Sequence, residues 1–416
     1  MIQGVEPVST FQQRHLSLLN YAAAVLACLW LVILFFTLTP LINDFHDYWY
    51  GALNVVENGD PYRTLIEDQR IDSTSQTEHS VSGQRSYIYP PFLAYVLQPL
   101  ALLPQILAQK IWFGINIIAL SALVFQFFKM SPAGIRQYWG VAILLIVILA
   151  PTRVTLQLGQ ISIILSVLII GSYMLAEHRP RLAGALLTIA ALIKIYPALL
   201  ALPYILDQRR RAAFWWTLLC GVFFVGLSLL VHGPAPYINY LNKVVLLQNS
   251  YPYAAEFNIS FMGFWSRLLS STRYTIPLTH QPQLVTLLNL LCSLSLFGMA
   301  VWQSYRQQHK GMLLYGLWVC VTLLISPANG YYNLVSLIIP ITALMAHKAN
   351  AKQLGWSGRD LALILAIALI CVPPAWSNTL PWLYERLHIG WGTLFLTPAF
   401  YGLLLITLRI HQELRN

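Results

Sequence analysis

Two carboxylates near the start of the chain stand where they could do acid–base chemistry. Asp44 and Asp47 lie three residues apart, with His46 between them, directly after an apolar run long enough to span a membrane. A carboxylate placed beside a substrate hydroxyl can remove its proton as a general base. The segment 43–62 also carries aromatic residues at 48–50 and closes in a turn. By itself, this segment leaves open whether the acids react or are only solvated loop residues.

The residues that follow predict an amphipathic helix beside these carboxylates. Trp49, Leu53 and Val56 fall on one face at the spacing i, i+4, i+7. Such a helix would lie flat at a membrane surface, with its aromatic rings at headgroup depth. Asp47 stands where an N-cap belongs, a position that Asp favours, and Asp44 would precede the helix on extended backbone. We therefore expect Asp44, rather than Asp47, to point into a substrate cavity.

A lysine in the middle of an apolar block is the second candidate for chemistry. Basic clusters flank both ends of the block 182–206, and Pro197 breaks helix hydrogen bonding near its centre. These features predict a re-entrant hairpin rather than a simple crossing, with Lys194 at a tip that lines a cavity. Ionisable groups within a membrane are costly and usually functional. Lys194 could hold a phosphate as a point charge, or its side chain could snorkel to an interface.

Other polar residues on the predicted outer side could complete such a site. Gln160 follows Gly159 at a helix start, where it could donate to the same anion or only cap the helix. Arg267 could be a second phosphate ligand or a headgroup anchor. A carboxylate at the mouth of an outer cavity, cations deeper in and aromatic rings around them suit glycosyl transfer from a lipid-phosphate sugar. For such a transfer, the residues expected to contact the acceptor or the sugar are Asp47, Trp49, Tyr89, Asn258, Tyr332 and Asn333. The ten histidines show no metal-ligand spacing, so neither a metal nor another cofactor is expected.

Composition indicates the fold class. Of the 416 residues, 57% are hydrophobic and only 10% are charged, whereas soluble proteins carry about 25% charged residues. The apolar blocks predict an all-α polytopic membrane protein with about ten crossings, the re-entrant hairpin and an outer amphipathic helix. The predicted crossings include Gln105 to Phe128, Gly311 to Ile325 and His388 to Leu408, and an outer turn is expected at Pro151 to Gln160. We expect one membrane domain, 1–416, with extracytoplasmic loops at 39–89 and 232–282. All five cysteines fall in apolar blocks, which argues against a disulfide framework.

The positive charge of the chain follows a membrane topology. Fifteen of the 25 Lys and Arg, but only five of the 15 Asp and Glu, fall at one alternating set of loops and termini. An excess of Lys and Arg is typical of cytoplasmic loops. The pattern therefore predicts cytoplasmic termini and an outer side that carries the acidic, aromatic loops. It gives no reason to expect a nucleic-acid partner.

A series of motifs gives the chain a resemblance to a known family. In order they are DFHDYW with NGDPY (44–62), YPPFLAYVLQPLALLP (89–104), GQISIIL (159–165), AGALLTIAALIKIYP (183–197), NISFMGFWSRLL (258–269) and ISPANGYYNLV (325–335). In these motifs the chain resembles the bacterial integral-membrane glycosyltransferases of family 87, from about residue 40 to 345. The last two predicted spans match nothing diagnostic.

This resemblance implies a GT-C fold, an inverting mechanism and a polyprenyl-phosphate sugar donor. The family includes polyprenyl-phosphate-mannose-dependent mannosyltransferases, but some members carry His where this chain has Tyr332 and Asn333. The resemblance makes Asp44 the expected general base and Lys194 the lysine of a K-x-x-P motif. It also implies a glycolipid or glycan acceptor, surrounding membrane lipids, and a bacterial inner membrane with an extracytoplasmic active site.

Two other functional classes compete with this interpretation. A polyprenyl-phosphate or glycolipid transporter could use the same cations to move a headgroup, although the absence of an internal repeat weakens a transporter built on duplicated halves. A membrane scaffold would make Asp44 and Lys194 freely replaceable.

Overall fold

The computed structural model describes residues 10–37, 44–62, 87–245, 253–272, 274–307, 310–350, 358–372 and 381–415. Within these ranges the regular structure is helical, and the only β-pairing is two isolated bridges, Asn258 with Gly330 and Ile276 with Ile389. Much of the predicted first outer loop, including its polar linker, lies outside the described residues. The prediction of an all-helical chain is confirmed for the described part.

The first half of the chain contains eleven α-helices that we number in order. They are α1 (Thr10–Thr37), α2 (Asp44–Asn58), α3 (Pro91–Ala101), α4 (Gln105–Met130), α5 (Ala133–Arg136), α6 (Trp139–Ile148), α7 (Ala150–Leu158), α8 (Ser162–Leu175), α9 (Pro180–Ile193), α10 (Leu202–Leu206) and α11 (Arg211–His232). A 3-10 helix, Tyr196–Ala201, precedes α10.

The second half begins with short elements and continues with longer helices. They are α12 (Ala235–Asn239), a π-helix (Tyr240–Val245), α13 (Phe261–Leu269), α14 (Pro282–Arg306), α15 (Gly311–Ile325), a 3-10 helix (Tyr331–Leu337), α16 (Ile338–Asn350), α17 (Gly358–Ile370), α18 (Pro381–Leu387), a 3-10 helix (Gly390–Phe395) and α19 (Pro398–Arg415). The predicted outer loop 232–282 thus contains helical structure of its own.

Four described helices are long and apolar enough to cross a membrane: α1 from Gln13, α4, α11 and α14. The pair α6 and α7 adds a fifth if it is counted as one bent span. Several of the remaining apolar helices have 10–17 residues, which is shorter than the ~20 residues that a full crossing needs. The structure therefore supports a polytopic membrane protein, and the count of ten crossings stays a prediction.

Two predicted segments are wrong in detail. The outer turn expected at Pro151 to Gln160 is mostly helix α7. The chain bends by 55° at Leu149, whose φ of −50° and ψ of 130° are not helical, and the new helix begins at Ala150 with Pro151 in its first turn. The single span expected at His388 to Leu408 is broken, because the 3-10 helix Gly390–Phe395 precedes α19, which begins at Pro398. Gly390 has a left-handed φ of 55°, which a regular right-handed helix does not contain.

The region of the predicted hairpin breaks at its lysine. Helix α9 ends at Ile193, Lys194 is extended (φ −137°, ψ 137°), and the chain continues as the 3-10 helix and α10. The two ends of this region lie close together, as the ion pairs of Arg210 with Glu177 and Asp207 show. Lys194 lies at the break between the two arms, α9 and the 3-10 helix with α10, where the tip of a hairpin belongs. Its re-entrant position in a membrane stays a prediction.

A second contact joins the two arms closer to the tip. The Ser172 hydroxyl on α8 donates to the carbonyl of Ala183 on α9, at 2.9 Å, and lies 2.9 Å from the Tyr204 hydroxyl on α10. Helix α9 packs against both α8 and α11, and Gly184 allows its backbone to approach Trp216 closely. The hairpin region is therefore built into the helix bundle rather than exposed on it.

Helix α15 supplies the core against which the second half packs. Every residue from Leu313 to Leu324 is buried. Its neighbours are α14, α16 and α19. A helix that is apolar on all sides belongs inside a helix bundle. It therefore offers a rigid base for the turn that follows at 326–330.

Candidate active site

Helix α2 carries Asp44 in its first turn and packs against α3. Its buried face is formed by Phe45, Tyr48, Ala52 and Val55. The predicted apolar face, Trp49, Leu53 and Val56, is offset from this face by one residue along the sequence. Val56 is 42% exposed. The helix begins at Asp44 rather than after Asp47, so the predicted N-cap role of Asp47 and the extended backbone at Asp44 are both wrong.

Gln160 is placed against Asp44 by the turn that ends α7. Gly159 has a left-handed φ of 65°, and a Cβ atom there would lie 2.8 Å from the Cβ of Phe45 on α2. A glycine therefore serves both the turn and the close approach of the two segments. The Gln160 side chain is fully buried, and its Nε2 donates a hydrogen bond to Oδ2 of Asp44.

The other end of the Gln160 amide receives two donors. Its Oε1 accepts from the Tyr48 hydroxyl at 2.7 Å and from Nζ of Lys194 at 3.2 Å. Burial, and after it the nearby charge of Asp44, raises the pKa of Tyr48 well above its ordinary value, so this hydroxyl stays protonated and donates. A single amide therefore links the carboxylate of Asp44 to the ammonium of Lys194.

Gln160 makes one further contact that limits its predicted role. Its Nε2 also donates to the Tyr89 hydroxyl, at 3.3 Å. A primary amide has two hydrogens to donate, and the contacts to Asp44 and Tyr89 use both. The predicted donation from Gln160 to an anion would require one of these bonds to break.

Lys194 lies in a frame of neutral groups. The residue is only 8% exposed. Besides Gln160, its Nζ contacts Oδ1 of Asn333 at 3.4 Å and lies over the rings of Tyr332 and Tyr89, 4.6 Å and 5.3 Å from their centroids. No carboxylate of the described residues forms an ion pair with Lys194. An ammonium held by amide oxygens and ring faces has no counter-charge in direct contact.

The structure thus brings six predicted site residues together in one cluster: Asp44, Tyr89, Gln160, Lys194, Tyr332 and Asn333. Tyr332 and Asn333, predicted to contact an acceptor or sugar, lie against the lysine. Their contact with substrate stays a prediction.

Arg267 and Asn258 form a separate structural unit. Arg267 is 1% exposed, and its Nη1 donates to the carbonyls of Ala255 and Asn258, both at 3.0 Å. The Asn258 side chain is fully buried and donates to the carbonyls of Tyr253 and Pro327. None of these contacts joins either residue to Lys194. They tie the outer loop to the turn at 326–330, and the predicted roles in binding phosphate and sugar remain untested.

Trp49 lies on α2 but makes its hydrogen bonds away from this cluster. The indole Nε1 of Trp49 donates to the carbonyls of Leu100 and Leu103, at 3.2 and 3.3 Å. The last carbonyls of a helix lack partners within it, so Trp49 ties α2 to the end of α3. Asp47 lies in the first turn of α2, and its predicted contact with an acceptor is likewise untested.

Three residues of the cluster were missed from the sequence: Tyr48, Ser162 and Asn329. Tyr48 follows Asp44 by four residues, which places both on one side of a helix. Ser162 donates to Oδ1 of Asn333 at 2.8 Å, and Asn329 accepts from Nδ2 of Asn333 at 2.7 Å. Only the helical spacing of Tyr48 was a signal that the sequence offered.

The cluster combines two groups with complementary chemistry. A carboxylate can accept a proton from a hydroxyl, and a buried ammonium can stabilise negative charge on a leaving group. The two are held at opposite ends of one side-chain amide. This separation suits a reaction in which an acceptor loses a proton while an anionic group departs a few ångströms away.

Comparison with known proteins gives the family of the chain. Glycosyltransferase family 87 matches residues 87–327. The polyprenol-phosphate-mannose-dependent alpha-(1-2)-phosphatidylinositol pentamannoside mannosyltransferase of Mycobacterium tuberculosis is 26% identical over 369 residues, covering 86% of this chain and 78% of that protein. The protein of the same name from Mycolicibacterium smegmatis is 28% identical over 365 residues, covering 84% and 81%. No solved structure matches the chain. The matched family spans more than half of the sequence and includes Gln160 and Lys194, so the chain belongs to glycosyltransferase family 87.

Proposed function

We propose that this protein transfers a hexose from a polyprenyl-phosphate donor to a glycolipid or glycan acceptor. The observation that carries the proposal is the Gln160 amide, which holds the carboxylate of Asp44 and the ammonium of Lys194 at its two ends. The related proteins, which depend on polyprenol-phosphate-mannose and are named for a phosphatidylinositol mannoside, support mannose as the sugar and a glycolipid as the acceptor.

In the proposed reaction Asp44 is the general base. It takes the proton of the acceptor hydroxyl while the hydroxyl oxygen attacks the anomeric carbon of the donor sugar. A bond forms between that carbon and the acceptor oxygen, the bond to the phosphate oxygen breaks, and polyprenyl phosphate leaves with its electron pair. Attack opposite the leaving group inverts the anomeric centre.

Lys194 stabilises the departing phosphate. Its ammonium has three hydrogens, and the amide oxygens of Gln160 and Asn333 occupy two of them. A hydrogen therefore remains for a phosphate oxygen, in a site where low exposure strengthens the attraction. This role requires no metal, and we propose a metal-independent transfer.

The proposed setting is a bacterial inner membrane. The bundle of apolar helices, the meeting hairpin ends and the charge pattern support a GT-C-like fold with about ten crossings and one re-entrant hairpin. Both termini would be cytoplasmic, and Asp44 and Lys194 would face the extracytoplasmic side.

Replacement of Asp44 tests the proposed base. Asp44→Asn keeps the shape of the side chain and removes the base, so turnover should fall by the ~10²–10⁴-fold typical of a lost general base, while polyprenyl phosphate still binds. The assay supplies purified protein with polyprenyl-phosphate-mannose and a phosphatidylinositol-mannoside acceptor and identifies lipid products by mass spectrometry.

Asp47→Asn is the matched control in the same helix. It removes one acid of the first turn of α2, where a negative charge contributes about 0.3–1 kcal/mol through the helix dipole, so turnover should change little. Equal losses in both variants would remove the support for Asp44 as the base. A wild-type protein that moves the donor headgroup across a bilayer without forming a glycosidic bond would instead favour the transporter.

A further inference from the structure

A chain of buried asparagines runs from the end of helix α15 to Lys194. Asn329 is 1% exposed and Asn333 is 2% exposed. Nδ2 of Asn329 donates to the carbonyl of Leu323, Nδ2 of Asn333 donates to Oδ1 of Asn329 at 2.7 Å, and Oδ1 of Asn333 faces Lys194. No role in the reaction has so far been assigned to Asn329.

This series of hydrogen bonds starts at the carbonyl oxygen of Leu323, which can accept a hydrogen bond but cannot donate one. Leu323 lies in the last turn of α15, where carbonyls have no partner within the helix. The Asn329 side chain must therefore turn its NH₂ end toward Leu323, which leaves its Oδ1 for the next residue. The backbone of Asn329 is itself anchored: its N–H donates to Oδ1 of Asn258, and its carbonyl accepts from the N–H of Ile259 at 2.9 Å.

The orientation of Asn329 determines the orientation of Asn333. Because Oδ1 of Asn329 accepts, Asn333 must present Nδ2 to it and direct its own Oδ1 the other way. That oxygen accepts from the Ser162 hydroxyl at 2.8 Å and from Nζ of Lys194 at 3.4 Å. A reversed Asn333 amide would set two oxygens against each other at one end and an NH₂ group against an ammonium at the other.

We propose that Asn329 is a positioning residue for the donor site: it fixes the Asn333 amide so that its oxygen holds Lys194 in place for the donor phosphate. The proposal rests on the proposed function, because it takes Lys194 as the phosphate ligand. It also explains why two buried asparagines stand four residues apart after α15. The end of helix α15, through the side-chain amides of Asn329 and Asn333, then sets the position of Lys194 in the predicted hairpin.

A double-mutant cycle on donor use tests this role. Asn329→Leu removes both side-chain hydrogen bonds, so KM for polyprenyl-phosphate-mannose should rise by about 3- to 10-fold, in the range of couplings between contacting residues, with kcat nearly kept. Asn333→Leu should raise KM at least as much. If Asn329 acts through Asn333, the double variant should have the KM of Asn333→Leu alone.

Asn20→Leu is the matched control. Asn20 is 2% exposed and also joins two segments through its amide, with Nδ2 donating to the carbonyl of Gln137 and Oδ1 accepting from the N–H of Gly140. Its loss should lower thermal stability and leave KM unchanged. An Asn329→Leu variant that behaves like this control, or KM increases that multiply in the double variant, would overturn the proposal.

A second variant covers the case in which Asn329→Leu fails to fold. Asn329→Asp has the same shape, and burial favours its neutral acid form. The acid hydroxyl can donate to the carbonyl of Leu323 and the other oxygen can accept from Nδ2 of Asn333, so KM should stay within about threefold of the wild type. A KM as high as that of Asn333→Leu would contradict the role. If the wild-type protein transfers no sugar, the proposed function fails, and the same cycle on the Kd of polyprenyl phosphate still decides whether Asn329 positions Lys194.

Discussion

Replacement of Lys194 by methionine tests whether its buried ammonium binds the donor phosphate. Met keeps the length of the side chain and removes the charge. The fold should tolerate the change, because each amide oxygen that now contacts Nζ has another donor: the Tyr48 hydroxyl for Gln160 and the Ser162 hydroxyl for Asn333. Burial of an apolar side chain in place of an ammonium also removes a cost of desolvation. Any loss of function should therefore come from the site and not from unfolding.

The expected size of the effect follows from the burial of the lysine. Two unit charges about 4 Å apart interact by about 4 kcal/mol at an effective dielectric constant of about 20. Removal of one partner from a buried, hydrogen-bonded charge pair costs about 2–5 kcal/mol. Since every 1.4 kcal/mol is about tenfold in affinity, polyprenyl phosphate should bind to Lys194→Met at least about 30-fold more weakly.

The assay measures the Kd of polyprenyl phosphate for purified protein in detergent, together with the thermal unfolding temperature of each variant. Lys129→Met, an exposed lysine in the last turn of α4, is the matched control and should bind as the wild type does. Lys194→Arg should retain part of the affinity, because it keeps the charge but not the compact shape of the ammonium. An unchanged Kd for a folded Lys194→Met variant would refute the reasoning.

Two further substitutions test the neutral frame around the lysine. Gln160→Glu puts a carboxylate between Asp44 and Lys194. The charge of this carboxylate should disfavour ionisation of Asp44 and shift the acid limb of the pH–rate profile to higher pH. Its ion pair with Lys194 should also raise the donor KM. An unshifted profile with a wild-type KM would contradict the bridging role of Gln160. Asn333→Asp should give Lys194 an ion-pair partner and raise the donor KM by about tenfold or more. A KM at or below the wild-type value would argue against phosphate binding by this lysine.

The fold was predicted best where the apolar pattern was long and uninterrupted. The span predicted from Gln105 to Phe128 is helix α4, Gln105–Met130, and Gly311–Ile325 is helix α15 with the predicted bounds. Prediction failed where a polar segment follows an apolar stretch. Beyond Leu149 the sequence changes from the apolar helix α6 to APTRVTLQL, whose polar residues indicate a turn, although the segment forms helix α7 at 55° to α6.

The site was predicted in its charged members but not in the contacts among them. Asp44 and Lys194 stand out in a sequence with few charges, because an ionisable group near or within a membrane is costly. The contacts made by Gln160 could not be predicted, since they depend on which end of an amide meets which neighbour after folding. The same holds for Asn329, whose sequence context indicates only a turn, although its amide reaches a helix end and a second asparagine.

The frame around Lys194 shows how a buried cation can remain available to a ligand. A carboxylate partner would offset more of the cost of burying the ammonium, but an incoming phosphate would then have to displace it. Amide oxygens and ring faces stabilise the charge without neutralising it. Gln160 adds a second consequence: by donating to Asp44 and accepting from Lys194, it keeps a carboxylate and an ammonium in one site without a direct ion pair between them. A base and a phosphate-binding cation can then act in the same reaction.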